Sequence, residues 1–213
     1  MPKKICIIHP VDATTDFLSE IYSNIDESLL EVVRLEKKVD HFSFYNSLPE
    51  ESTIIFLGHG TSNSLKGAST LDCEEIFMSD NQLAAFEKKD VLLFSCRSNQ
   101  YIRKFYKTAN INTGIGFPNM ITDYMEISEY DDPNRAEGLT SEDIEIFKNN
   151  LVEIMRGSLN DFINMNLNIY QFYNRIILRT NKSILQYFKK NNGDEPLGKM
   201  LIDLRNGLVL KKN

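Results

Sequence analysis

The chain is short of cysteine and has no long apolar run, and both shortages narrow what it can be. Cys6, Cys73 and Cys96 are its three cysteines among 213 residues, too few and too scattered for a disulfide framework. The apolar stretch Ile5-Cys6-Ile7-Ile8 falls far below a signal-peptide core or a membrane span, and nothing resembles a lipidation signal. A cytoplasmic protein without a membrane partner is expected, in a reducing compartment that keeps a thiol reactive. Basic residues are also the minority. The 24 Lys and Arg against 30 Asp and Glu give a net charge of −6, which argues against direct nucleic-acid binding, because phosphate neutralisation needs a basic face. The lysines of Pro2-Lys3-Lys4 and Leu210-Lys211-Lys212 read as solvated termini. His and Cys pairs at zinc-ligand spacing are missing. Gly114-Ile115-Gly116 lacks the third glycine of a dinucleotide fingerprint, and there is no Walker motif. No cofactor and no metal are expected, and no internal repeat or low-complexity tract is visible.

What is present suffices for one globular domain with a helical appendix, since 42% of the residues are hydrophobic. Strands are predicted at 4–8, 30–35, 53–58, 91–95 and 111–117. Helical segments are predicted at about 14–28, 37–48, 81–88 and 100–107, with a polar loop at 61–70. Strands alternating with helices imply an α/β fold, a doubly wound and mainly parallel sheet with helices on both faces. The acidic stretch 123–143 reads as a long loop, either solvated or functional. Thr140-Ser141-Glu142-Asp143 is a helix-start box. Beyond it, apolar residues from Ile144 to Ile163 and from Ile169 to Phe188 recur at three- and four-residue steps, predicting two long amphipathic helices broken near Asn166-Leu167-Asn168. Their apolar stripes read as core, with an oligomer or partner groove as the alternative. The expected organisation is a catalytic core over 1–140 and a C-terminal helical extension, packed on it, over 141–213.

Two blocks stand out within this frame. Ile54-Ile55-Phe56-Leu57-Gly58-His59-Gly60 and Val91-Leu92-Leu93-Phe94-Ser95-Cys96-Arg97 are both apolar runs suited to buried parallel strands that stop on a reactive side chain. Residues just past the carboxyl ends of such strands face the ligand crevice of an open α/β sheet. If the strands are neighbours, an imidazole and a thiol meet at one rim. A thiolate attacking an amide generates an oxyanion, which the backbone N–H groups of Gly60 and Cys96 would receive. His59 would activate the thiol or protonate the departing amine. Both the histidine and a following helix N-terminus would favour the thiolate. Taken singly, His59 is a loop histidine satisfied by a carbonyl and Cys96 a small buried hydrophobe; their equivalent placement is what favours a dyad. Cys6 reads as core, while Cys73, His9 and His41 lack a visible activating partner.

An apolar strand ending in His-Gly followed by a second ending in Cys resembles the caspase-like (clan CD) cysteine peptidases, which include caspases, metacaspases, gingipains, separases and bacterial CHAT-type proteases. The order, His before Cys, differs from papain-like enzymes. The separation of 37 residues from His59 to Cys96 is shorter than the roughly 50 of caspases. Ser95-Cys96-Arg97-Ser98 keeps only the Cys-Arg step of the animal signature, so specificity for aspartate does not carry over. The compact spacing is closer to the CHAT-type branch. The resemblance covers residues 1–125, its motifs confined to 54–60 and 91–98. It implies a caspase-like fold and a thiol protease acting on a protein or peptide, with His59 and Cys96 as dyad and Gly60 as an oxyanion donor. It further implies a regulated effector, switched on by a separate sensor protein in bacterial antiviral defence or cell death. Asp123 is a conceivable substrate-binding residue at the floor of a pocket for a basic side chain, a solvated aspartate being the alternative. The acidic loop is a candidate maturation segment. The rival expectations are a catalytically inactive scaffold of the same fold, interacting through its C-terminal helices, and an esterase or acyltransferase using the same pair.

Overall fold

The structure, a computed structural model, describes residues 4–10, 12–35, 42–67, 76–129, 138–190 and 196–213. His41, Cys73 and the centre of the acidic stretch lie outside the described residues. The chain divides into two compact units, Met1–Ser19 with Ser23–Pro118 and Leu208–Asn213 in the first, and Glu20–Tyr22 with Asn119–Gly207 in the second. The protein is of the α/β type, with a mainly parallel six-stranded sheet and C-terminal helices. Among the described residues no helix is long and apolar enough to cross a membrane.

The sheet belongs to the first unit. It consists of β1 (Ile5–Pro10), β2 (Leu30–Leu35), β3 (Thr53–Leu57), β6 (Asp90–Phe94), β7 (Thr113–Gly116) and β8 (Val209–Lys212), in the order β2-β1-β3-β6-β7-β8. The first five run parallel and β8 pairs antiparallel with β7. Every residue of β1, β3 and β6 is buried, which is why they read as unbroken apolar runs rather than as an alternating pattern. A two-stranded hairpin of β4 (Leu65–Lys66) and β5 (Ile76–Met78) stands beside the sheet.

One face of the sheet carries Cys6, Ile8, Ile54, Phe56, Val91 and Leu93, clustered with Tyr45 of α1 (Phe42–Ser47), with Tyr101 and Ile102 of α2 (Ser98–Phe105), and with Leu83 and Phe86 of a 3-10 helix at Asp80–Phe86. The alternate residues Ile7, Ile55, Leu92 and Ile115 are buried too. Gly114 and Gly116 serve the packing of α2. A Cβ on Gly114 would meet the Ile102 side chain at 2.9 Å, and one on Gly116 would lie 2.6 Å from the Asn99 Cα and the Ser98 carbonyl oxygen. These glycines therefore let a helix rest directly on β7.

Two predicted helices shrink in the structure. The segment 14–28 forms turns and short 3-10 helices at Asp16–Ile21 and Glu27–Leu29. Local hydroxyl bonds compete with α-helix there: Thr15 Oγ1 donates to the Asp12 carbonyl (3.3 Å) and Ser19 Oγ to that of Asp16 (2.6 Å). The segment 81–88 is the 3-10 helix already named, closed by Lys88 at φ 57° immediately before β6. Within the stretch read as purely helical extension, Val209–Lys212 is instead a strand. Its four residues, half of them lysine, carry too little pattern to stand out from a helix end.

The second unit holds α3 (Ser141–Asn164), α4 (Ile169–Lys190) and α5 (Pro196–Gly207). The helix-start box forms as the sequence predicts. Asp143 N–H donates to Thr140 Oγ1 (3.2 Å), and Thr140 N–H donates back to the Asp143 carboxylate (2.9 Å). The break is also where the sequence places it. Asn166 adopts φ 49°, and the Asn168 and Gln171 side chains bond each other's backbone N–H groups to start α4. Asp161 of α3 receives Arg179 of α4 at 2.8 Å.

Candidate functional site

The site is built at the carboxyl ends of the parallel strands in the first unit. β3 and β6 are hydrogen-bonded neighbours whose last residues, Leu57 and Phe94, are in register. The ladder runs one residue further, with Gly58 N–H donating to the Phe94 carbonyl at 3.2 Å. His59 and Cys96 are each two residues beyond those strand ends, so the sheet brings the two predicted residues to equivalent positions on adjacent strands. Both are half-buried, and Cys96 forms no disulfide among the described residues.

Beyond His59 the chain turns back through a short hairpin. Gly60 and Leu65 face each other as an antiparallel bridge. Its hydrogen bonds run from Thr61 N–H to the Ser64 carbonyl (2.8 Å) and from Lys66 N–H to the His59 carbonyl (3.0 Å). In this arrangement the pair itself is not hydrogen-bonded, so the N–H of Gly60 points away from Leu65. Thr61 Oγ1 accepts from the N–H groups of Asn63 and Ser64, both at 3.1 Å, and Lys104 Nζ of α2 donates to Asn63 Oδ1 at 2.6 Å. Gly60 also lies against the residue preceding the thiol. A Cβ there would come 2.6 Å from Ser95 Oγ and 3.0 Å from Ser95 Cβ. Ser95 is 1% exposed, and its hydroxyl has no hydrogen-bond partner. Only glycine brings the backbone so close.

Cys96 sits on a sharp strand-to-helix turn. Arg97, next in the chain, is left-handed at φ 57° and ψ 15°, a conformation that costs a non-glycine residue energy and is found most often at functional sites. The turn is anchored on the residues just past β7. Arg97 N–H donates to the Pro118 carbonyl (3.2 Å) and Asn99 N–H to that of Phe117 (2.9 Å). Ser98, fully buried, donates its hydroxyl to the Leu93 carbonyl (2.6 Å) and accepts from Phe117 N–H (2.8 Å), pinning the end of β6 to the end of β7.

The hydrogen-bond partner of the His59 ring is Thr14, not the thiol: Nε2 lies 2.6 Å from Thr14 Oγ1. Thr14 belongs to the turn after β1, where Asp12 Oδ1 accepts from both the Thr14 N–H (2.8 Å) and its hydroxyl (2.6 Å). The same turn is tied down by the bond from Thr15 N–H to the Asp12 carbonyl (3.1 Å) and by His9, whose Nε2–H donates to the Thr15 carbonyl (3.1 Å). Burial holds the His9 imidazole below its usual pKa. The sequence reading missed Asp12 and Thr14. The available signal was their place just past the end of the first strand, on the same rim as His59.

Cys6 and Asp123 are the remaining described thiol and carboxylate candidates. Burial, with Glu31 adding to it, pushes the Cys6 thiol up to about 12, as befits a core residue. Asp123 lies in the second unit, exposed, where its N–H donates to Glu126 Oε2 at 3.1 Å. Among the described residues no group of three or more His, Cys, Asp or Glu side chains is placed to hold a metal ion. No protein-family model matches the chain, and no curated protein is detectably similar to it.

Proposed function

We propose that the protein is a caspase-like cysteine endopeptidase whose nucleophile is Cys96 and whose acid–base group is His59. The observation that carries this reading is the convergence at one rim of three elements drawn from two neighbouring strands. They are a half-buried thiol on a strained turn, an imidazole at the equivalent position of the next strand, and a Gly60 backbone pressed on the residue before the thiol. The strand order β2-β1-β3-β6-β7-β8, five of them parallel, supports the doubly wound fold that goes with it.

In this mechanism the Cys96 sulfur, its proton taken by His59, attacks the carbonyl carbon of the scissile peptide bond. The carbonyl oxygen becomes an oxyanion, stabilised by the N–H groups of Gly60 and Cys96. Collapse of the tetrahedral intermediate breaks the C–N bond, and the imidazolium returns the proton to the leaving amine. Water then attacks the thioester with His59 as base and releases the acid product and the thiol.

Site-resolved alkylation by a dilute electrophile, read by mass spectrometry, tests the reading. Wild type should label at Cys96 well before Cys73, and His59→Ala should slow that labelling sharply. Equal, slow labelling of the two cysteines, insensitive to His59, would replace the dyad with an inactive scaffold. A peptide library presented to the wild type separates the endopeptidase from an esterase or acyltransferase with the same pair.

A further inference from the structure

We propose that Asp12 and Thr14 act as a proton-ordering pair that holds neutral His59 in its Nε2–H tautomer, leaving Nδ1 as the basic nitrogen. The argument is one of donor counting. Thr14 has a single hydroxyl hydrogen. An ionised carboxylate only accepts, so the 2.6 Å contact between Thr14 Oγ1 and Asp12 Oδ1 consumes that hydrogen. The 2.6 Å contact between Oγ1 and His59 Nε2 then needs its hydrogen from the ring. The opposite arrangement, with the hydroxyl turned to a bare Nε2, would set the Thr14 oxygen against the Asp12 oxygen at 2.6 Å with nothing between them.

The surroundings make the pair a fixed device although Thr14 itself is exposed. Asp12 Oδ1 also receives the Thr14 N–H at 2.8 Å, so backbone and side chain of Thr14 are held by one oxygen. Thr15, the next residue, is bonded at its N–H by the Asp12 carbonyl and at its carbonyl by the Leu18 N–H (2.9 Å) and by buried His9. The sheet order then adds a direction. β3 lies between β1 and β6, and Nε2 is taken by the loop of β1, which leaves Nδ1 for the exchange of a proton with the substrate or the thiol.

The catalytic relevance of this pair rests on the proposed dyad, whereas the tautomer does not. When Nδ1 receives the thiol proton, Nε2–H keeps its bond to Thr14, and the Asp12 carboxylate behind the hydroxyl steadies the imidazolium. When Nδ1 returns the proton to the leaving amine the ring regains its starting tautomer, so no proton is lost or gained over the cycle. Thr14 and Asp12 are positioning residues, since they act through His59 and not on the substrate.

The full chain with 15N-labelled histidine tests the proposal directly. Long-range 1H–15N spectra of the neutral ring, the His59 signals identified by their loss in His59→Gln, report which nitrogen is protonated. Only three histidines are present, so the assignment is tractable. Wild type should show a protonated Nε2 and a bare Nδ1, and Thr14→Ser should preserve this. Thr14→Val should give a mixture of tautomers and slow Cys96 alkylation about tenfold, the factor that 1.4 kcal/mol of lost orientation corresponds to. Asp12→Ala, which removes the oxygen that takes the hydroxyl hydrogen and frees that hydrogen to turn towards Nε2, should shift the ring towards Nδ1–H. A wild-type ring protonated at Nδ1, or a tautomer unchanged in both Thr14→Val and Asp12→Ala, would overturn the proposal. Alkylation of Cys96 indifferent to His59→Ala would overturn the dyad alone, with the tautomer shift still standing.

Discussion

Replacing Gly116 by alanine tests whether the close seating of α2 on β7 positions the thiol. The added Cβ would lie 2.6 Å from the Asn99 Cα and from the Ser98 carbonyl oxygen and 2.7 Å from the Asn99 nitrogen, about 0.8 Å inside the 3.4 Å at which ordinary contact begins. All three neighbours are backbone atoms, so no side-chain rotation relieves the clash and the first turn of α2 has to move. Overpacking of this kind costs about 1–3 kcal/mol, and the backbone partners place Gly116→Ala in the upper part of that range, at about 2 kcal/mol or more. A loss of that size lowers the equilibrium between closed and open forms roughly 30-fold. The assay is hydrogen exchange read by mass spectrometry on peptides covering 98–105 and 113–117, a local measure suited to a chain of two compact units. Protection should fall in both peptides, and Cys96, two residues before α2, should change its alkylation rate. Gly138→Ala is the control: its Cβ meets nothing nearer than the Pro196 side chain at 3.6 Å, so only its positive φ matters and 98–105 should be untouched. Unaltered protection of 98–105 and 113–117 in Gly116→Ala would refute the reasoning.

Other substitutions probe the same rim. Ser98→Ala removes the hydroxyl shared by the Leu93 carbonyl and the Phe117 N–H, and stranding that buried N–H should cost about 1–3 kcal/mol, seen as faster exchange at 93–98 and at 117. Cys6, with its thiol near 12, should be thiolate in only about one molecule in ten thousand at pH 8, so alkylation of native protein should spare it until denaturant is added. His9 gives a pH dependence of definite sign. Its pKa is lowered in the folded state, so below the unfolded value of 6.5 the unfolded chain binds a proton that the native one does not. Stability should therefore be complete above pH 6.5 and decline as pH falls below it. Exchange protection of β1 compared at pH 7.5 and 5.5, after correction for intrinsic rates, should drop more in wild type than in His9→Gln.

Which parts were legible in the sequence follows from how each is stabilised. β3 and β6 are buried on both faces, so their apolar runs end where burial ends, and the reactive residues stand out against them. α3 and α4 are long, and over 24 and 22 residues an amphipathic stripe has room to repeat. The 3-10 helices at Asp16–Ile21 and Asp80–Phe86 offer no such length, and hydroxyl side chains in the first bond their own backbone. The hairpin of β4 and β5 is held by two and three residues, too few for a period to register. β8 owes its place to the antiparallel register Thr113–Lys212 through Gly116–Val209, a pairing with residues about a hundred positions away. In the candidate site, His59, Gly60 and Cys96 were visible because they punctuate strands. Thr14 was not, because a threonine in a polar turn is ordinary until the β1–β3 pairing sets it beside an imidazole 45 residues further on.

The strand order carries a consequence that composition could not. From β1 the chain passes to β2 on one side, and β3 takes up the other side and leads on to β6 and β7. The loops leaving β1 and β3 therefore diverge, and the crevice of an open parallel sheet lies at that point of divergence. Thr14 and His59 line it from its two sides, while Cys96 follows the next strand over. An imidazole in that position has neighbours on two sides and two nitrogens to offer them. One is already committed by a 2.6 Å bond to the β1 loop, so proton transfer towards the β6 side falls to the other. The tautomer of His59 is thus set by what the β1 loop presents to it, and measuring it tests how that loop and the end of β3 build the site.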